Sequence, residues 1–314
     1  ALPILFNATF AHGAGGRART LEDWRWAYAR NPAGMRVWVA LQGDELVAHY
    51  ASQPHVVRVD GAPQRFAHIV DSMAHPGHRR TLHKNGPFAA AGEQLLSATV
   101  GAGKDWVAYG WPTPDAWRIG RLLLAYELVR RQTTLVQALG DGPRELPSGV
   151  ERVQRFDERV GALYERCAPE WRASGVRDAQ FLNWRVCDAP AREYRALAAV
   201  DAAGAWSGCA IARELDVDGA RHTVLCDWLV PRDDEASADR LLAALSADAR
   251  AHGSQQLVAM MPSWSPWFAR FQRRGFLVCA SPYMMVSGGF NHPHYDVYWL
   301  RDHWWYQPLD TDSV

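Results

Sequence analysis

Two stretches of the chain, roughly 160 residues apart, pass the same landmarks in the same order, and a repeat of that length requires two like domains. The first copy opens with Trp24-Arg25-Trp26 and reaches Asn31-Pro32; the second opens with Trp184-Arg185 and reaches Ala189-Pro190. Each then spells a strand, a turn (Gln42-Gly43-Asp44 or Asp201-Ala202-Ala203-Gly204), a second strand and an Asp-Gly turn (Asp60-Gly61 or Asp218-Gly219). A third strand carries an Asp and ends at a Pro, from Asp71 to Pro76 and from Asp227 to Pro231. Solenoid repeats run at only about 20 to 50 residues, so this is a tandem of domains, each long enough for its own core. Turn formers cluster from Gly140-Asp141-Gly142-Pro143 to Pro147-Ser148-Gly149, which sets the expected boundary near residue 150, with domains 1–150 and 151–314.

Periodicity fills in the elements. Val37 to Ala40 and Leu46 to Tyr50 read as a hairpin, and Val56 to Val59 with Phe66 to Met73 as a second one around Asp60-Gly61. Phe88, Ala91, Leu95, Leu96 and Thr99 fall at helical spacing, and Trp106 to Tyr109 reads as the next strand. In the second half Ala238, Leu241, Leu242, Leu245 and Ala249 mark the matching helix, followed by a strand from Gln256 to Met260. An extra helix presents Phe156, Val160, Leu163, Tyr164 and Cys167 on one face. The expected class is α/β (α+β): two domains, each with a mixed, mostly antiparallel central sheet flanked by helices.

The composition, 48% hydrophobic and 22% charged with zero formal net charge, fits a globular protein and gives no global reason to expect a nucleic-acid partner. No run of 18 apolar residues exists, and Ala1 to Phe10 lacks a basic n-region, so neither a membrane span nor a signal peptide is expected. Five cysteines scattered through the second half without CxxC spacing read as reduced thiols in a cytoplasmic protein.

Only the first copy has a loop suited to phosphate. Between the third strand and its helix runs His75-Pro76-Gly77-His78-Arg79-Arg80-Thr81-Leu82-His83-Lys84-Asn85-Gly86-Pro87-Phe88, basic and turn-rich, with Gly86 opening the helix. Helix N-terminal N–H groups, a Gly that admits close approach and flanking cations are what a pyrophosphate needs. The second copy reads Pro231-Arg232-Asp233-Asp234-Glu235 there, and its carboxylates repel an anion.

Hairpins, a long strand, a loop of the form Gln/Arg-x-x-Gly-x-Gly/Ala opening a helix, then a strand and a helix: this order resembles the acyl-CoA-dependent N-acyltransferases of the GNAT superfamily. The resemblance covers both halves, and the Trp-rich opening with Asp71-Ser72-Met73-Ala74-His75-Pro76 looks like a tandem-domain branch. The loop departs from the pattern, reading His83-x-x-Gly86-x-Phe88.

The resemblance implies acyl-CoA as co-substrate and no metal. Pantetheine would pair with Ser72, Met73 and Ala74, and the pyrophosphate would lie on Arg79, Arg80, Lys84, Asn85, Gly86, Pro87 and Phe88. The thioester oxygen would meet strand N–H groups able to stabilise a tetrahedral oxyanion. The histone-acetylating branch carries its base where this chain has His68, and imidazole suits that transfer. Asp71 is the second candidate. Strand alternation puts residues 68 and 71 on opposite faces, so a bulge is needed for both to serve one site. The family's leaving-thiolate acid is a Tyr on the helix after the next strand; Asp115 to Arg121 contains none, which leaves Tyr109 as the nearest substitute.

Fifteen tryptophans are many for this length, and Trp264, Trp267, Trp299, Trp304 and Trp305 crowd the end with Tyr283, Tyr295, Tyr298 and Tyr306. They pack between domains, or they line an acceptor cleft in which Trp264 stacks on the acceptor and Asp227 holds its ammonium. The expected partner is therefore a small-molecule amine, such as an amino sugar, a sugar-bearing natural product or a polysaccharide precursor. Gly13-Ala14-Gly15-Gly16-Arg17-Ala18 fits a dinucleotide fingerprint, but an antiparallel meander follows where that fold needs a parallel strand. His75, His78 and His83 sit in a loop without a neighbouring carboxylate or Cys set, and His292, His294 and His303 fall in the aromatic tail. Three alternatives stay open: an aminoacyl-tRNA-dependent transferase of the same doubled fold, which would not bind CoA; a binding module without turnover; and an NAD-dependent oxidoreductase.

Overall fold

The computed structural model describes residues 2–10, 18–81, 86–101, 103–190, 193–217, 219–290 and 296–312. In chain order the elements are α1 (Leu2–Phe10), α2 (Leu21–Trp24), β1 (Arg36–Gln42), β2 (Glu45–Val59), β3 (Ala62–Ala74), α3 (Pro87–Thr99), β4 (Val107–Gly110), α4 (Pro114–Leu123) and β5 (Glu127–Ala138). There follow β6 (Val150–Val153), α5 (Glu158–Cys167), β7 (Ala173–Gly175), α6 (Ala179–Leu182), β8 (Tyr194–Val200), β9 (Trp206–Val217), β10 (Ala220–Leu229), α7 (Glu235–Ala251), β11 (Gln256–Ala259), α8 (Pro266–Arg273), β12 (Leu277–Phe290), α9 (Val297–His303) and β13 (Trp304–Trp305).

The chain divides into two compact units. The first holds Ala1–Val57, Pro63–Arg131 and Tyr283–Arg301; the second holds Arg58–Ala62, Gln132–Pro282 and Asp302–Val314. The division therefore falls inside β5, where a boundary near residue 150 was expected. The reason is strand pairing: Leu135 to Ala138 pair with Ala259 to Gln256, and Leu135 is buried in the second core, so the turn-rich Gly140 to Gly149 follows a strand already committed to that unit.

The duplication is plain in the openings of the two copies. Thr20 caps α2, accepting from Asp23 N–H while Asp23 reaches back, and the chain widens into a π turn over Arg25–Ala29. Asp178 caps α6 through Phe181 N–H, and a π turn over Asn183–Cys187 follows. Four helical residues and then five recur in each, so Trp26 matches Trp184, two residues away from the register the Trp-Arg pairs suggest.

In the first unit β1 lies on β2, and the order β2-β3-β4-β12 follows. The two short strands expected at Leu46–Tyr50 and Val56–Val59 are one, β2. Pro54 lies past the end of the pairing with β1, which reaches Ser52 opposite Arg36. Asp60 and Gly61, with φ of 47° and 85°, make the left-handed turn a two-residue hairpin prefers.

In the second unit the order is β5-β11-β10-β9-β8-β6, parallel between β10 and β11 and antiparallel elsewhere, and β13 pairs with β7. Its core absorbs much of the aromatic tail. Trp305 stacks on Trp171 at 5.1 Å and 4°, Trp267 meets Trp228 edge-on at 5.5 Å, and Trp304 and Tyr306 are buried.

Candidate active site

β3 and β4 run parallel, but they pair only at Phe66–Val107, Ala67–Ala108 and His68–Tyr109. Past that register β3 continues to Ala74, whereas β4 stops at Gly110 and the chain turns through Pro112 into α4, capped by Thr113. The strands part, and the opening is a cavity of about 550 Å³. Ser72, Met73 and Ala74 line it, together with Tyr50, Phe88, Trp111, Ile119, Leu124 and Tyr126, all in the first unit. Strand polar groups freed by the splay need new partners, and a ligand amide can supply them. The buried Ser72 hydroxyl on this wall faces the Tyr50 phenol.

The wall is irregular at one position. Asp71 has φ of 50° within β3, a conformation that costs a non-glycine residue energy and turns the strand locally. Its carboxylate accepts from Tyr28 hydroxyl at 2.5 Å and pairs with Arg19. Its carbonyl accepts from His49 Nδ1 at 2.8 Å, which leaves Nε2 of that buried imidazole as the lone-pair nitrogen. Burial lowers the His49 pKa, with the Asp71 carbonyl opposing, so the ring is neutral near pH 7.

Tyr126, three residues beyond α4, enters the cavity beside Tyr50, and the two hydroxyls touch. A Cβ on Gly120 would stand 2.4 Å from one edge of the Tyr126 ring, and a Cβ on Gly288 2.4 Å from another, so two glycines clamp the ring. Burial pushes the Tyr50 phenol well above its ordinary pKa, keeping it a proton carrier.

The helices after the third strands differ at their starts. Gly86 is the N-cap of α3 and has no side chain to offer, Pro87 follows, and the first intrahelical bond runs from Ala90 N–H to Gly86 at 3.0 Å. Phe88 and Ala89 amides therefore precede the bonded ladder, an arrangement open to an anion. In the second copy the Asp234 carboxylate already fills that role for α7, accepting from Ser237 N–H at 2.9 Å. Arg79 and Arg80 lie in a 3₁₀ turn, Pro76–Thr81, of which the backbone is described; Lys84 and Asn85 lie outside the described residues.

The expected site residues thus separate. Ser72, Met73, Ala74, Phe88 and Asp71 come together at the cavity, and the φ of 50° at Asp71 is a local irregularity that does not bring His68 to the same place. His68 and Tyr109 occupy a packed position instead, stacked at 4.9 Å, and the lining begins one residue beyond each, at Ile69 and Gly110. The Tyr109 hydroxyl faces His55 Nδ1 at 3.4 Å. The parallel register forces this, because 68 and 109 are the last opposed pair. Asp227 is not open to an acceptor ammonium: Arg177 holds it within 3.1 Å in the interior and also reaches Asp310 at 2.9 Å. Trp264 packs half-buried on the second core, 6.5 Å from Trp305. Tyr50, Tyr126, His49, Arg19 and Tyr28 escaped the sequence reading. One signal was present, since Arg19 and Arg177 each stand directly before the cap of a matching short helix.

No family model matches the chain, and no curated protein resembles it in sequence. Solved structures share its fold. A conserved protein of unknown function from Enterococcus faecalis, a probable N-acyltransferase, superposes with a TM-score of 0.67 at 16% identity, covering 92% of this chain and 70% of its own. Saccharomyces cerevisiae N-myristoyltransferase with bound myristoyl-CoA gives 0.62 at 12% identity, covering 96% and 80%. A tandem GNAT protein from the clavulanic acid biosynthesis pathway gives 0.58 at 19%, covering 92% and 94%. The chain has a GNAT-like fold, in its tandem form.

Proposed function

We propose that this protein is an acyl-CoA-dependent N-acyltransferase, acylating a primary amine of a small molecule such as an amino sugar, a sugar-bearing natural product or a polysaccharide precursor. The observation that carries this reading is the parting of β3 and β4 into a cavity walled by Ser72 to Ala74, with an uncapped helix start at Gly86. Pantetheine pairs along Ser72–Ala74, and the α3 amides meet the pyrophosphate. The lining by Tyr50, Phe88, Trp111, Ile119 and Leu124 leaves room for acyl groups longer than acetyl. N-myristoyltransferase, with the same fold, binds myristoyl-CoA.

The amine nitrogen attacks the thioester carbon, forming the C–N bond and placing negative charge on oxygen near the strand amides at the Asp71 irregularity. The amine proton passes to a neutral base, for which the neutral imidazole of His49 is the candidate: it holds the Asp71 carbonyl from outside the cavity lining. Collapse breaks the C–S bond, and the CoA thiolate takes a proton from the Tyr126–Tyr50 pair. His68 and Tyr109 support the floor of the splay by packing. The second unit, with Asp234 filling its helix start, carries no second donor.

Thermal shift with acetyl-CoA, a long-chain acyl-CoA, CoA and NAD, paired with thiol release in the presence of an amine panel, tests this. CoA species raise the midpoint by mass action, and turnover needs an amine. A folded sample with no shift at saturating CoA species overturns the reading; binding with no thiol release from any amine leaves a binding module.

A further inference from the structure

His75 and His78 stand in sequence without a carboxylate, and the fold supplies one. Glu45 is the first residue of β2, and the two histidines follow the end of β3. His75 N–H donates to Val47 carbonyl at 2.8 Å, tying the loop to β2 two residues past Glu45, and His78 N–H donates to His75 carbonyl at 2.8 Å. Backbone bonds thus bring the three side chains to one place. Glu45 Oε2 lies 3.4 Å from His78 Nε2, and Oε1 lies 3.9 Å from His75 Nδ1. The imidazole centroids are 5.6 Å apart and inclined at 67°, and one ligand atom from each residue lies within 4.8 Å of the other two.

We propose that Glu45, His75 and His78 form a binding site for one divalent transition-metal ion of the zinc type, with solvent completing the coordination. Ligands at about 2.0–2.1 Å from a tetrahedral ion stand about 3.3 Å apart, a spacing the Glu45–His78 pair already has within a tenth of an ångström or so. His75 closes the remaining distance by a side-chain rotation at a partly exposed position. Its Nδ1 accepts from Gly77 N–H at 3.1 Å, so the lone pair that ligation requires is there; a metal would take that bond's place, and water can serve the exposed amide. Two imidazoles and one carboxylate select Zn²⁺, Co²⁺, Ni²⁺ or Cu²⁺ over Mg²⁺ and Ca²⁺, which favour all-oxygen shells. None of the three residues lines the cavity, so the site is separate from the proposed acyl site and independent of that reading. Its consequence is mechanical: the ion would fasten the start of β2 to the segment leading toward α3.

The test is titration of chelator-stripped full-length protein with Zn²⁺ against a chromophoric indicator, and with Co²⁺ followed by visible absorption. One ion binds per chain, Co²⁺ develops ligand-field bands, and Mg²⁺ does not compete. Glu45→Gln and His78→Ala each weaken binding by about tenfold or more with an unchanged circular dichroism spectrum, at least the loss seen when mere supporting residues are removed. Absence of binding, equal competition by Mg²⁺, or affinity unchanged in both variants overturns the proposal.

Discussion

Arg177 grips Asp227 through Nε, at 3.0 and 3.1 Å from the two carboxylate oxygens, and the first copy repeats the relationship with Arg19 and Asp71. In each copy the arginine directly precedes the cap of a short helix, and the aspartate sits at an irregularity in the third strand: the φ of 50° at Asp71, the register shift between Leu225 and Asp227. The pair ties the opening helix to the bend in the strand. The second copy adds Asp310 to the same guanidinium. In the first, the companion of Asp71 is the Tyr28 hydroxyl, and the bend borders a cavity.

Asp227→Ala is therefore a stability variant. Truncating one partner strands a buried guanidinium that still faces Asp310, which costs about 3–5 kcal/mol. Urea denaturation should show the loss, with the KM for the amine acceptor unchanged under conditions where the variant is folded. A raised KM at full stability would instead return Asp227 to the acceptor.

Tyr126 is held by absence of side chains on both sides, so Gly120→Ala and Gly288→Ala should each displace it. Overpacking of this kind costs about 1–3 kcal/mol. Acyl-CoA thermal shifts should survive while kcat falls. Tyr126→Phe keeps the ring and removes the proton; kcat should drop by about 10²-fold with little change in acyl-CoA affinity, the range for general acid catalysis. Gly161→Ala in α5 serves as the contrast, since its Cβ meets nothing within 4 Å. It should stabilise by up to about 1 kcal/mol through helix propensity alone.

Gly86→Asp transplants the second copy's solution into the first. Gly86 has φ of −82° and ψ of 164°, extended geometry open to any residue, so no backbone strain opposes the change. The carboxylate would cap α3 as Asp234 caps α7, and repel a pyrophosphate. The expected result is a melting midpoint near that of the parent without ligand, and loss of the shift with acyl-CoA. A retained shift would move the phosphate site away from α3.

What the sequence alone makes legible is set by the range of the interactions. The hairpin at Asp60-Gly61, the helix at Phe88 and the duplication are local patterns, and periodicity carries them. The bend at Asp71 could be required but not seen, because φ is set by what Arg19, Tyr28 and His49 do to that residue from elsewhere in the chain. Tyr126 lies beyond the residues of α4, and only the fold brings its ring between Gly120 and Gly288. His68 and Tyr109 carry suitable chemistry, but a parallel register pairs them against each other, and register is not written in either strand alone. Asp227 looked like a binding carboxylate for want of Arg177, fifty positions earlier.

The pH dependence of stability should carry the mark of His49. Burial holds its folded pKa below the ordinary 6.5, the Asp71 carbonyl opposing only in part. Above that ordinary value both folded and unfolded chains keep the ring neutral, and His49 contributes no pH dependence. As pH falls below about 6.5 the unfolded chain takes up a proton that the folded chain refuses, so stability declines until pH passes the lowered folded value, where the loss levels off. Urea midpoints measured from pH 7.5 downward should fall in that window, and His49→Gln should flatten part of the decline, its side-chain amide donating to the Asp71 carbonyl without titrating. If His49 also takes the amine proton, the same variant loses kcat at pH 7.5, where its effect on pH-dependent stability is nil. A variant with the parent's slope and the parent's kcat would place His49 outside both roles.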